Sequence, residues 1–130
     1  QVQLGKWPEM LKMRRQNAEV AKQYLDDDNF RLQKETGESS WFGFGIVLQG
    51  ELKGRRKEVV DALQAQGVEC RPIVTGNFLR NPVIERMDWC ADTSMNAADD
   101  LHYNGFFIGN DCIDLKEKII AVSKLIKDLV

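Results

Sequence analysis

The chain has 130 residues, a net charge near −2, and 29% charged against 43% hydrophobic residues. That is the balance of one soluble globular domain with a sizeable core. Basic and acidic residues are mixed along it, which excludes the basic stripe of a non-specific nucleic-acid binder, and no apolar run approaches the roughly 20 residues that cross a bilayer, so neither nucleic acid nor a membrane is an expected partner.

The opening QVQLGKWPEM lacks a starting methionine and the apolar core of a signal peptide. The chain is therefore expected to be a piece of a longer polypeptide. Cys70, Cys90 and Cys112 are odd in number, widely spaced and without a CxxC pair. This favours free thiols in a reducing cytosol over a disulfide framework or a zinc site.

Pro8 to about Leu25 has helical spacing at Leu11, Ala18, Ala21 and Leu25, with Pro8 suited to a first helical turn. DDDNF then reads as a solvated loop, since Asp26 to Asp28 lack the ligand spacing of a calcium site. Trp41 to Leu48 is expected to be a strand with Phe42, Phe44, Ile46 and Leu48 on one face and Gly43, Gly45 and Val47 on the other. Glycines inside a strand mark either close packing or a ligand. Arg55 to Gln66 reads as a helix ended by Gly67. Val68 to Val74 reads as a second strand, confined to an edge or cut short by Pro72. Asn77 to about Ser94 is irregular, with a short turn at Val83 to Met87, and Asn96 is placed to cap a helix through Tyr103. Phe106 to Ile108 is a third strand. Asp114 opens a final amphipathic helix with a stripe of Leu115, Ile119, Val122, Ile126 and Leu129. The fold class expected is a small α/β sandwich: a three-stranded, mainly antiparallel sheet covered by helices, with the third strand between the first two.

No complete catalytic set is visible. His102 is the single histidine, and neither a phosphate-binding GxxxxGK[ST] loop nor a dinucleotide fingerprint occurs. What remains is a set of polar residues at strand ends: Ser39 and Ser40, then Arg71, Thr75, Asn77 and Arg80, then Asn110 and Asp111. Ligands collect where strand ends and loops converge. Arg71 and Arg80 each offer a planar fork to phosphate or carboxylate; the competing reading pairs Arg71 with Glu38, Glu69 or Asp111.

GESSWFGFGIVL, RRKEVVDALQAQGVECRPIVTGNF and NGFFIGND follow one another in an order and spacing that resemble the C-terminal small domain of the DegT/DnrJ/EryC1/StrS family. The stretch from Leu4 to Tyr24, with Arg14, Arg15 and Asn17, resembles the family's linking helix. RPIVTGNF with the later GFFIGN is similar to the family's sugar 3-dehydratase branch, more than to its ordinary aminotransferases. The resemblance implies a fold-type I, pyridoxal-phosphate-dependent enzyme acting on nucleotide-linked 4-keto-6-deoxy sugars. It further implies a cytoplasmic homodimer working in surface-polysaccharide, lipopolysaccharide or O-antigen sugar synthesis. Residues 1–25 become the linking helix from a large domain upstream, and 26–130 the small domain. RPIVTGNF becomes one wall of the cleft, with Arg71, Asn77, Phe78, Arg80, Ser40 and Asn110 as substrate-binding residues. No catalytic, cofactor-binding or metal-binding residue is assigned to the chain itself. A free-standing ligand-sensing or interaction module is the alternative.

The resemblance places the cofactor half upstream, so the isolated 130-residue chain is expected to bind no pyridoxal phosphate. Visible absorption after mixing checks this; a stoichiometric aldimine band that borohydride fixes onto one lysine would overturn it.

Overall fold

The computed structural model describes residues 2–91 and 94–130. Four α-helices, α1 (Val2–Tyr24), α2 (Arg56–Ala65), α3 (Asn96–Asn104) and α4 (Lys116–Lys127), accompany four strands, β1 (Phe30–Leu32), β2 (Gly43–Leu48), β3 (Cys70–Pro72) and β4 (Gly105–Gly109). The sheet is antiparallel throughout, in the order β1-β2-β4-β3. The expected placement of the last strand between its two predecessors is therefore observed.

The sheet has four strands rather than three. Phe30–Leu32 follows the acidic turn directly and pairs with the far end of β2, Phe30 opposite Leu48 and Leu32 opposite Ile46. A three-residue strand is too short to show an alternation in sequence. Asp27 in that turn is tied down by Lys127 Nζ at 3.0 Å. The second predicted strand shrinks to Cys70–Pro72 at the sheet edge. Pro72 has no N–H to donate, and Val74 leaves extended geometry at φ 43°. Helix α1 begins at Val2, so Pro8 lies inside it rather than in its first turn. That part of α1 is largely exposed, where water can satisfy the carbonyl that the proline ring leaves unpaired. The N-cap position of α3 is Met95, not Asn96. At the end of the irregular stretch, residues 92 and 93 lie outside the described residues.

Residues opposite one another in an antiparallel pair share a face. Phe44 faces Ile108 and Ile46 faces Phe106, and this face forms one core with Ala18, Ala21 and Leu25 of α1, Val59 and Leu63 of α2, and Ile119, Val122 and Ile126 of α4. The other face carries Gly43, Gly45, Val47, Gly105, Phe107 and Arg71. Its two β2 glycines serve packing. A Cβ on Gly43 would meet Ile108 O at 2.8 Å, and one on Gly45 would meet Gln33 Oε1 at 2.7 Å. Gln33 Oε1 accepts the Gly45 N–H at 2.9 Å.

Asn17 joins the layers. It is 2% exposed; its Nδ2 donates to Ile113 O at 2.8 Å, Asn110 Oδ1 at 3.0 Å and Asp111 O at 3.2 Å, and its Oδ1 accepts the Leu115 N–H at 3.0 Å. Leu115 is the N-cap position of α4, so a side chain from α1 satisfies a donor that this helix end leaves free. Asp114 takes the next one, accepting the Lys116 N–H at 2.9 Å. Buried groups stripped of their partners cost about 1–3 kcal/mol each. Asn17→Ala strips several at once and is expected to lower unfolding stability by roughly 2–4 kcal/mol. Urea unfolding at unchanged m-value measures it; a loss under about 1 kcal/mol would contradict the assignment.

Candidate functional site

Trp41 controls the entrance to β2. It is buried at φ 50°, a left-handed conformation uncommon for a bulky side chain. Its N–H donates to Ser39 Oγ at 2.9 Å, its indole Nε1 donates to Glu35 Oε1 at 3.2 Å, and its carbonyl accepts Asn110 Nδ2 at 2.9 Å. Lys22 lies 5.4 Å above the ring centroid. Glu35 also accepts the Ser39 N–H at 2.9 Å and Lys22 Nζ at 3.0 Å. The Ser39 N–H and then Lys22 hold its carboxyl below the ordinary 4.5.

The turn at Trp41 reverses the predicted facing of Phe42. Trp41 goes into the core, and Phe42 is 68% exposed. Its ring centroid lies 6.5 Å from that of Phe107, on the sheet face opposite the core. The Arg14 guanidinium sits 5.9 Å from the Phe42 centroid. Arg14 Nε is buried with no hydrogen-bond partner among the described residues.

These aromatics belong to a small corner cavity of about 150 Å³, lined by Phe42, Glu69, Arg71, Phe107, Gly109 and Asn110. Of the predicted site residues, Arg71 and Asn110 meet here. Arg71 is exposed and pairs with Glu69 Oε1 through Nε at 2.8 Å and Nη2 at 2.6 Å, one of the partners weighed from sequence. Asn110 is buried, and its Nδ2 donates to Arg14 O at 3.0 Å as well as to Trp41 O. It shapes the cavity wall through backbone contacts. Ser40 is half-buried in the turn before Trp41.

Asn77, Phe78 and Arg80 form a second group, docked on α3. Asn77 is buried; its Oδ1 accepts the Leu79 N–H at 3.0 Å, and its Nδ2 donates to Asp99 Oδ1 at 2.8 Å. Arg80 donates Nε to Asp99 Oδ1 at 3.0 Å and Nη2 to Asp99 Oδ2 at 2.8 Å. Gly76, at φ 60°, packs so closely on His102 that a Cβ would lie 2.7 Å from its Nδ1. Phe78 is left exposed. Phe42, Phe107 and Asp99 escaped the sequence reading. Strand parity puts Phe107 on the face of Arg71, but nothing local announces that Trp41 turns Phe42 outward.

A larger groove of about 1000 Å³ opens beside α4, with Phe44, Ile108, Ile119 and Val122 in its lining and Glu69, Lys118, Lys124 and Asp128 among its charged members. It offers no nucleophile paired with a base. Cys70 is half-buried, and burial pushes its thiol up to about 11, so it is protonated at neutral pH. Among the described residues no His, Cys, Asp and Glu group is arranged to hold a metal ion, and no helix is long and apolar enough to cross a membrane.

A long leading helix and a helix-covered antiparallel sheet are what the sequence motifs led one to expect; the aromatic corner is not. The chain belongs to the DegT/DnrJ/EryC1/StrS aminotransferase family, whose model matches residues 1–110. Over 127 residues it is 40% identical to the GDP-4-keto-6-deoxy-D-mannose 3-dehydratase of Escherichia coli O55:H7, covering 96% of this chain and 33% of that protein. It is 41% identical to the Yersinia pseudotuberculosis protein of the same name, over 96% of this chain and 32% of that one. The solved E. coli dehydratase with bound hydrated PLP matches with a TM-score of 0.87, at 40% identity over 95% of this chain and 32% of that one. A Helicobacter pylori aminotransferase of pseudoaminic acid biosynthesis shares the fold with a TM-score of 0.80 at 14% identity, over 98% of this chain and 34% of that one. The chain thus spans about a third of the length of the curated relatives it matches.

Arg80, then Asn77, holds the Asp99 carboxyl at about 2, below its ordinary 3.8. Because the folded value is depressed, the contact stabilises fully above the ordinary range and is lost as pH falls through about 2. In an acid titration, the Arg80 Nε–H resonance is expected to shift with a midpoint near 2. A midpoint near the ordinary 3.8 would show that the clamp is absent in solution.

Proposed function

We propose that this chain is the C-terminal small domain of a pyridoxal-phosphate-dependent enzyme that removes the 3-hydroxyl from a GDP-linked 4-keto-6-deoxy sugar. One observation carries the reading: identity of about 40% to two 3-dehydratases, along the same third of their length, accompanied by a matching backbone. Aminotransferases in the comparison share the fold at much lower identity. The whole enzyme is proposed to be a cytoplasmic homodimer supplying deoxy sugars for surface polysaccharide such as O-antigen.

The residues of the aromatic corner do not fit the cofactor. No lysine lines the aromatic corner, and Glu69 stands on its rim where a phosphate needs donors alone. No step through pyridoxal phosphate is therefore assigned to this chain. What the corner supplies is a place for the nucleotide end of the substrate. The exposed Phe42 and Phe107 rings give a planar ligand an apolar surface on which to stack. Arg71 and Glu69 put a donor and an acceptor side by side at its edge, and Arg14 adds positive charge nearby. Asn110 and Ser40 support this wall, and the exposed Phe78, on the loop that leaves the other end of β3, is proposed as its continuation toward the sugar.

The reading is tested with the full-length polypeptide, cofactor supplied, and GDP-4-keto-6-deoxymannose, by mass spectrometry of the product. Loss of the C3 oxygen is expected. A product that keeps that oxygen and gains an amine would make the enzyme an aminotransferase.

Arg71→Ala tests the corner. A charge-assisted hydrogen bond is worth about 1.5–3 kcal/mol, so kcat/KM is expected to fall roughly ten- to a hundredfold. The Arg71–Glu69 pair is exposed, so the unfolding midpoint should report a change below about 1 kcal/mol. Near-normal kinetics would remove Arg71 from the substrate.

A further inference from the structure

The loop from Ile73 to Arg80 contains two residues in the left-handed region, Val74 at φ 43° and Gly76 at φ 60°. Glycine adopts this geometry freely. For a β-branched residue it is an outlier that persists only where surrounding contacts over-determine it. Val74 is itself 83% exposed, so its own packing does not hold it.

The contacts that hold the loop come from α3. Asp99 receives three hydrogen bonds, one from Asn77 and two from Arg80. Gly76 rests against His102, Ile73 reaches Gly105 where α3 passes into β4, and the Arg80 guanidinium lies 5.9 Å from the Tyr103 ring centroid. Within the loop, the Gly76 N–H bonds Ile73 O at 2.8 Å. Asp99 is thus the acceptor that Asn77 and Arg80 of the loop share. It does not line the aromatic corner.

We infer that Asp99 is a positioning residue, which through Asn77 and Arg80 holds this loop on α3 so that Val74, Thr75 and Phe78 form a fixed outward edge against the substrate. The inference rests on the dehydratase reading given above. It also reassigns Asn77 and Arg80, which the resemblance placed on the substrate: the Asn77 amide and the Nε and Nη2 of Arg80 are turned toward Asp99, so they act on the ligand through the backbone they fix. An Asn at position 99 keeps the shape but loses the charge, so it cannot accept both forks of Arg80 and the Asn77 amide.

The test uses the full-length holoenzyme and GDP-4-keto-6-deoxymannose, with Asp99→Asn, Arg80→Gln and the double variant. Asp99→Asn is expected to raise KM roughly tenfold, the size of one lost charge-assisted hydrogen bond, while kcat changes less than about threefold for want of any contact with the reacting atoms. The double variant should be no worse than the poorer single variant within about twofold, because both changes undo one contact. Asp99→Glu, which keeps the charge, should recover part of the KM. Normal KM in a folded Asp99→Asn enzyme, or effects of the two single variants that multiply in the double, would overturn the inference. Should Asp99→Asn fail to fold, Arg80→Gln alone carries the same KM expectation and the same refutation. A wild-type protein without turnover would instead overturn the dehydratase reading. Faster amide exchange confined to residues 73–80 in Asp99→Asn would then still support the positioning, and unchanged exchange would overturn it.

Discussion

The pairing of Asn17 with Asn110 is the constraint on which the other features rest. One amide comes from the middle of α1 and the other from the residue after β4, and both are buried. Buried amides are costly unless every donor and acceptor finds a partner. Here each finds several. Asn17 takes the backbone of the turn into α4, and Asn110 takes the carbonyls of Arg14 and Trp41. Two side chains thereby set where α1 crosses the sheet, where α4 starts, and how the chain enters β2.

The last of these has chemical consequences. With its carbonyl held by Asn110 and its indole by Glu35, Trp41 stays in a conformation that points its ring into the core and sends Phe42 to the other face. There Phe42 meets Phe107, which alternation along β4 had already placed opposite the core. The aromatic corner is thus a by-product of how the core is closed. Its polar rim comes from Glu69 and Arg71, two positions apart at the start of the edge strand and therefore on one side of it.

Much of this was legible along the chain. The apolar stripe of α4 follows from period alone, with Ile119, Val122 and Ile126 all buried as expected. The glycines of β2 left close packing and a ligand both open, and the structure shows packing against Gln33, Ile108 and Phe107. Pro72 correctly marked a short edge strand. Illegible features shared a cause. Strand β1 exists because it completes the edge of β2, and its three residues carry no periodic signal. Pro8 sits inside α1 because its turn faces solvent rather than a packed neighbour. Phe42 departs from alternation because a residue far along the chain holds the backbone before it.

By itself the sequence determined the family, the antiparallel α/β class with its last strand in the middle, and the side of each long element that is buried. These follow from local periodicity and from motifs contiguous in the chain. Only the tertiary structure decided what the polar residues do. Arg71 and Asn110 meet at the aromatic corner, whereas Asn77 and Arg80 turn away to Asp99. The physical reason is that a hydrogen-bonding side chain is defined by its partner. The partner of Asn17 lies 93 residues away and that of Asn77 lies 22 away, separations over which composition and spacing carry no geometry.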